Sequence, residues 1–196
     1  MNFDAWRHYL RGRLFRLLRQ PDRAVTEYEA ALALEPDSVR LTHVLAFMHN
    51  ERGDYTNAER LFRRVTQLAP DSVSAWYNLG FLYERQQEPA KAIEPLRRAV
   101  ELDRKLDRAW YGLGLAYAAL HRHEEAAKAF EEAATLQPMN PHAWYQYGMA
   151  YHQLHNPDKV KEITLHLHRF DPRMARELIR DAERSDLAHL VADLRV

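Results

Sequence analysis

Trp76, Trp110 and Trp144 are evenly spaced along the chain, and a repeat of that length restricts what it can fold into more than any other feature it has. Three further columns keep the same step: Tyr77, Tyr111 and Tyr145; Gly80, Gly114 and Gly148; Tyr83, Tyr117 and Tyr151. The frame runs on in both directions without an insertion, through Ala24, Ala58, Ala92, Ala126 and Val160 and through Pro36, Pro70, Arg104, Pro138 and Pro172. It divides the chain into five repeats, 5–38, 39–72, 73–106, 107–140 and 141–174, and a tail, 175–196. Self-similarity on this scale marks a stack of supersecondary units, each burying its apolar face against its neighbours.

Within a repeat the pattern is helical. Trp76, Leu79, Gly80 and Tyr83 fall at steps of three and four, one face of a 3.6-residue helix. Glycine inside a helix costs roughly 0.5–1 kcal/mol against alanine, so the recurring Gly80, Gly114 and Gly148 predict backbones in close approach, with the Ala92 and Ala126 column facing them. Pro36, Pro70, Pro138 and Pro172 cannot continue a helix and are expected to end each repeat. Ser38, Ser72 and Asn140 then stand as N-caps of the next helix, with Pro141 at a first helical position. Asp54 and Asn156 start second helices, and Gly53 suits the turn before Asp54. Arg104 replaces the proline of the third repeat, which predicts a less sharply ended helix there. Val160 and Thr164 replace a small and an aromatic residue in the fifth, which predicts looser packing. Pro95 is expected to kink the second helix of the third repeat.

In 107–140 the landmarks read Trp110, Leu113, Gly114, Tyr117, Ala126, Phe130, Ala133 and Pro138. With these residues the chain resembles the tetratricopeptide repeat (TPR) family, whose pattern is W-x2-L-G-x2-Y, A-x3-F and P in a 34-residue helix-turn-helix. The resemblance covers about nine tenths of the chain. It implies an all-α fold: a right-handed TPR superhelix, an α-α solenoid of five helix-turn-helix repeats over 1–174, with a C-terminal capping helix over 175–196. Leu178, Ala182, Leu187, Leu190, Val191 and Leu194 would give that helix its apolar face. The same helix could instead dock in a partner's groove.

Composition closes several functional classes. Twenty-eight Lys plus Arg balance 28 Asp plus Glu, so global charge argues for neither nucleic acid nor an anionic membrane. Without cysteine there is no disulfide, thiolate nucleophile or Cys-type zinc site. The first twenty residues are broken by arginines and lack the apolar core of a secretory signal, and no stretch has the ~20 apolar residues of a membrane span; a cytoplasmic location is the expectation. Neither a P-loop, a GxGxxG after a strand nor an HExxH motif is present, so the chain is expected not to be an enzyme and to need no cofactor. His121 with His123, His152 with His155, and His166 with His168 invite a metal reading, but no third ligand accompanies them and residues two apart on a helix diverge. No metal is expected.

Function is expected on the surface. In TPR proteins the first helices line a concave face, and positions 2, 5, 6, 9, 12 and 13 of each repeat meet the ligand. By resemblance, the peptide-binding groove here comprises His43, Phe47, Tyr77, Asn78, Phe81, Arg108, Tyr111, Leu115, Tyr145, Gln146 and Met149. Tyrosine, phenylalanine and methionine favour interface cores, and Arg16, Arg40, Arg85 and Arg108 at further groove positions lean the surface basic. This reads as a protein–protein interaction adaptor for a peptide or helical segment with apolar anchors and some acidic residues. The carboxylate clamp of TPR co-chaperones is matched only by Asn78 and Arg108, since His43, Phe47 and Gly112 occupy its other positions. The alternative is a self-assembling scaffold, a homo-oligomer joined through the first helix and the tail. In that first helix Leu14, Phe15 and Leu18 are expected in the core, with Trp6 and Leu10 uncovered.

Overall fold

The computed structural model describes residues 2–191. Among them are eleven α-helices and no strand: α1 Phe3–Leu17, α2 Pro21–Leu34, α3 Val39–Glu51, α4 Tyr55–Leu68, α5 Val73–Arg85, α6 Pro89–Leu102, α7 Asp107–Ala119, α8 His123–Leu136, α9 Pro141–Gln153, α10 Pro157–His168 and α11 Pro172–Asp181. A 3₁₀ helix, Ser185–Val191, follows. The fold is all-α. Contacts gather the chain into two bodies, Met1–Gln87 with α1–α5 and Glu88–Val196 with α6–α11, so the division falls inside the third repeat. In the first body each helix packs on the next from α1 to α5, and in the second from α6 to α11.

The helices begin as the sequence predicts. Side chains of Ser38, Ser72 and Asn140 accept backbone N–H bonds from Leu41, Ala75 and His142, and those of Asp54 and Asn156 accept from Asn57 and Lys159. Each satisfies a donor that has no partner inside its helix. The turn between the two helices of a repeat forms a column of its own. Arg19, Gly53, Gln87, His121 and His155 occupy the same place in successive repeats, and all adopt left-handed φ values of 54–75°. Just after four of them the chain closes a long backbone bond, from Gln20 to Phe15, Asp54 to His49, Arg122 to Tyr117 and Asn156 to Tyr151. This is the Schellman ending of a helix. Glycine fills the left-handed position only at Gly53, which is why the turn column is hard to see in the sequence.

The tryptophan column is explained by the turns between repeats. The indole N–H of Trp76, Trp110 and Trp144 donates to the backbone carbonyl of Pro70, Arg104 and Pro138, at 2.7, 2.9 and 2.9 Å. Because the acceptor is backbone, Arg104 serves as well as proline. α6 accordingly ends at Leu102, in register with the ends of α4 at Leu68 and of α8 at Leu136, so the blurred end expected at Arg104 does not occur. α6 also runs unbroken through Pro95, whose ring is buried.

Close approach centres on an aromatic column of the second helices, not on the alanines expected to face the glycines. A Cβ added at Gly12 would lie 2.8 Å from the Tyr28 ring, and one at Gly114 would overlap the Phe130 ring. Tyr28, Phe62, Leu96 and Phe130 hold equivalent positions in the first four repeats, and each is 1% exposed. In the fifth repeat this column holds Thr164, whose hydroxyl donates to the Val160 carbonyl. The space over Gly148 is taken by Leu178 of α11, with a Cδ 2.6 Å from where a Cβ would stand. Leu178, Ala182 and Leu187 of the tail are buried, while the side chains of Leu190 and Val191 and all of Leu194 lie outside the described residues.

Two expectations are corrected. Pro172 does not merely end the fifth repeat; it is the first residue of α11, behind the N-cap Asp171, so the C-terminal helix starts before 175 and ends at Asp181. In α1 the face against α2 is Ala5, Tyr9 and Gly12, at steps of four and three. Leu14 and Leu18 fall on the other side and are each 53% exposed, and Trp6 and Leu10 are exposed there too.

Two substitutions test these contacts. Trp110→Phe keeps an aromatic ring but loses the indole N–H with its hydrogen bond and the five-membered ring's contacts, so it should cost at least about 1 kcal/mol in denaturant unfolding. Leu178→Ala empties the space over Gly148 and should cost about 3 kcal/mol, whereas Leu17→Ala, at a side chain 80% exposed, should leave stability unchanged.

Candidate peptide-binding surface

The predicted groove residues divide between the two bodies, and each group is described on its own. In the first body α3 carries His43 and Phe47, and α5 carries Tyr77, Asn78 and Phe81. Phe47 and Phe81 are 42% and 38% exposed, large apolar rings that the fold leaves open. The Tyr77 and Phe81 rings stack one turn apart, with centroids at 6.1 Å and planes at 18°. Phe47 also lines a recess with Arg16, Arg19, Pro21, Met48 and Glu51, an apolar floor bordered by two guanidinium groups and one carboxylate.

His43 and Asn78 are joined across α3 and α5, with Asn78 Nδ2 2.7 Å from His43 Nε2. The amide donates, so that Nε2 is unprotonated and the imidazole is neutral with its proton on Nδ1. The ring stands edge-on to Phe62 at 5.9 Å, and burial holds its pKa below the ordinary value of 6.5. Part of the basic lean expected here is internal. Arg40 lies over the Tyr9 ring at 4.5 Å, and Arg85 donates to Asn50 and Tyr55. Burial also pushes the Glu84 carboxyl up, which favours its neutral form.

In the second body α7 carries Arg108, Tyr111 and Leu115, and α9 carries Tyr145, Gln146 and Met149. Tyr111, Leu115, Tyr145 and Met149 are half-buried and rest on the core of this body. Tyr111 meets Phe130 edge-on at 5.7 Å. The Tyr145 hydroxyl donates to Asp181 at the end of α11, at 2.8 Å. Burial, and then that carboxylate, push its pKa up to about 12. Gln146 and Met149 line a recess with His121, His123, Gln153 and Phe130. The rings of His121 and His123 stand edge to face at 5.8 Å, and no group of three or more metal-ligating side chains occurs among the described residues. Nor is any helix among them long and apolar enough to cross a membrane. Arg16 is among the groove positions expected to be basic, whereas its neighbour Arg19 in the Phe47 recess and the Asp181 partner of Tyr145 are not legible in the sequence, because both arise where separate elements meet.

Sequence profiles of the tetratricopeptide repeat match residues 9–72 and 49–107, and again 107–140, about two thirds of the chain. The chain belongs to the TPR family. Solved TPR structures share the fold. A MamA crystal structure superposes with a TM-score of 0.79 at 22% identity, covering 100% of this chain and 99% of that one. YrrB, described as a TPR protein with an unusual peptide-binding site, gives 0.78 at 22% identity over 92% of each chain. PilF of Pseudomonas aeruginosa gives 0.72 at 19%, over 91% of this chain and 82% of that one. No curated protein sequence matches the chain. Within the TPR frame, His43 and Asn78 are engaged with each other, so the match of Asn78 to the carboxylate clamp is further weakened by that bond.

The His43–Asn78 pair has a pH signature. The unfolded chain takes up a proton near 6.5 and the folded site only below it, so stability is complete above that value and falls as pH drops through it. The His43 ring resonances should titrate below 6.5, and His43→Gln should lose less stability than wild type on going from about pH 7.5 to 5.5.

Proposed function

We propose that this TPR protein is an adaptor that binds a peptide or helical segment of another protein on the first-helix face, and that it acts by binding, not catalysis. The observation that carries this is the pair of open rings, Phe47 and Phe81, on adjacent first helices of one body, with Tyr77 stacked against Phe81. An aromatic ring left in solvent forgoes much of the free energy of burying roughly 150–250 Å² of surface, and a partner's side chains could recover it at these two sites. Tyrosine beside them adds contact area at low conformational cost. Arg16 and Arg19 beside Phe47 suit a segment that combines apolar anchors with acidic residues. The second body supports the reading through the recess at Gln146 and Met149. The peptide-binding site of the similar YrrB fold is in keeping with it.

A peptide display selection against the full chain, followed by calorimetry on the selected segment, tests the proposal. Phe47→Ala with Phe81→Ala should weaken binding at least tenfold, about 1.4 kcal/mol or more, with helicity unchanged because both rings are already open. Affinity unaffected by the double substitution sinks the surface on α3 and α5.

A further inference from the structure

Phe3, Trp6, Leu10, Leu14 and Leu17 follow one another along α1 at steps of three, four, four and three. They are 72%, 47%, 37%, 53% and 80% exposed. At 3.6 residues per turn they fall within an arc of about 80°, opposite the face that packs on α2. The neighbouring column lies off this stripe, about 100° round the helix from its centre. The position that holds buried Leu45 on α3, Leu79 on α5 and Leu113 on α7 is Arg11 on α1, which is exposed and paired with Glu27 at 2.9 Å.

We propose that the α1 stripe pairs with the same stripe of a second copy, antiparallel, about a two-fold axis at Leu10. The spacing reads the same in both directions, so Phe3 meets Leu17 of the other copy, Trp6 meets Leu14 and Leu10 meets itself. Self-complementarity of this kind is what a two-fold interface requires; a membrane surface makes no such demand. The charges permit the approach. Arg7 and Arg11, on one border, are already paired with Asp4 and Glu27 of their own chain, at 3.2 and 2.9 Å. Arg13, on the other border, comes beside Trp6 of the second copy, where a guanidinium against an indole is favourable. The five side chains offer on the order of 500 Å² per copy, about 1,000 Å² in the pair, the lower limit for a specific interface. The dimer is therefore weak and concentration-dependent. Trp6, Leu10 and Leu17 hold positions 2, 6 and 13 of the first repeat, so the stripe shares the first-helix face with the peptide-binding reading, but the two are tested separately because Phe47 and Phe81 lie on other helices.

Sedimentation of the full chain from about 1 to 300 µM should show the mean mass rising from 23.1 kDa towards twice that value. Leu10→Asp, which sits on the axis and enters twice, should weaken association at least tenfold while circular dichroism stays unchanged. The chain has no cysteine, so register can be read directly. Leu10→Cys should form a covalent dimer on mild oxidation, and Leu17→Cys, whose copies lie about 20 Å apart across the axis, should not. A wild type that is monomeric throughout, a dimer indifferent to Leu10→Asp, or equal cross-linking at Leu10→Cys and Leu17→Cys overturns the proposal. So does a monomer whose binding to phosphatidylserine vesicles is abolished by Leu10→Asp, an outcome that assigns the face to a membrane.

Discussion

In the first and fourth repeats the distance between the two helices is set by a ring lying on a backbone with no side chain in the way. Gly12 under Tyr28 and Gly114 under Phe130 bring the helices closer than any Cβ would allow, and the buried rings then make the dense contacts that dominate core energetics. The helical glycines cost some intrinsic stability, which the packing offsets. The rest of the repeat follows from that approach. A short left-handed turn reverses the chain, and an indole hydrogen bond ties each first helix to the turn before it.

The same requirement accounts for the fifth repeat. Thr164 is too small to cover Gly148, and a gap there would expose backbone to a void. α11 supplies the missing bulk from the next element along, through Leu178. It also ends as a first helix does, with Glu183 left-handed and a backbone bond from Arg184 to Ile179. The departure that looks in the sequence like a weakened repeat is a site where the neighbouring element has been recruited into the core.

What could be read from the sequence was whatever repeats as a residue type. Tryptophan, glycine and tyrosine columns located the helices, and Ser38, Ser72, Asn140, Asp54 and Asn156 located their starts, because capping depends on a local side chain. What repeats only as a backbone conformation stayed hidden. Arg19, His121 and His155 share φ values with Gly53 but no side-chain chemistry, and the Arg104 carbonyl does the work of a proline carbonyl without resembling it. On the candidate surface, position in the repeat pointed to Phe47 and Phe81, which are open. It did not separate them from Tyr111, which leans on Phe130, or His43, which is held by Asn78. That distinction depends on which residue stands across the helix boundary, and a single-helix pattern does not contain it.

The bond from Tyr145 to Asp181 carries a consequence for anything that binds along α9. The hydroxyl is presented to a carboxylate of its own chain, which Arg180, and then the tyrosine itself, keep ionised. Asp181 is thus tethered beside the hydroxyl, at a high effective concentration that dilution does not change. On the proposed reading, an incoming acidic group gains this hydroxyl only by displacing the Asp181 carboxylate, while a segment that relies on apolar contacts and leaves the hydroxyl alone meets no such competition. On that same reading, the C-terminal helix is a filter on ligand chemistry as well as a cover for the fifth repeat.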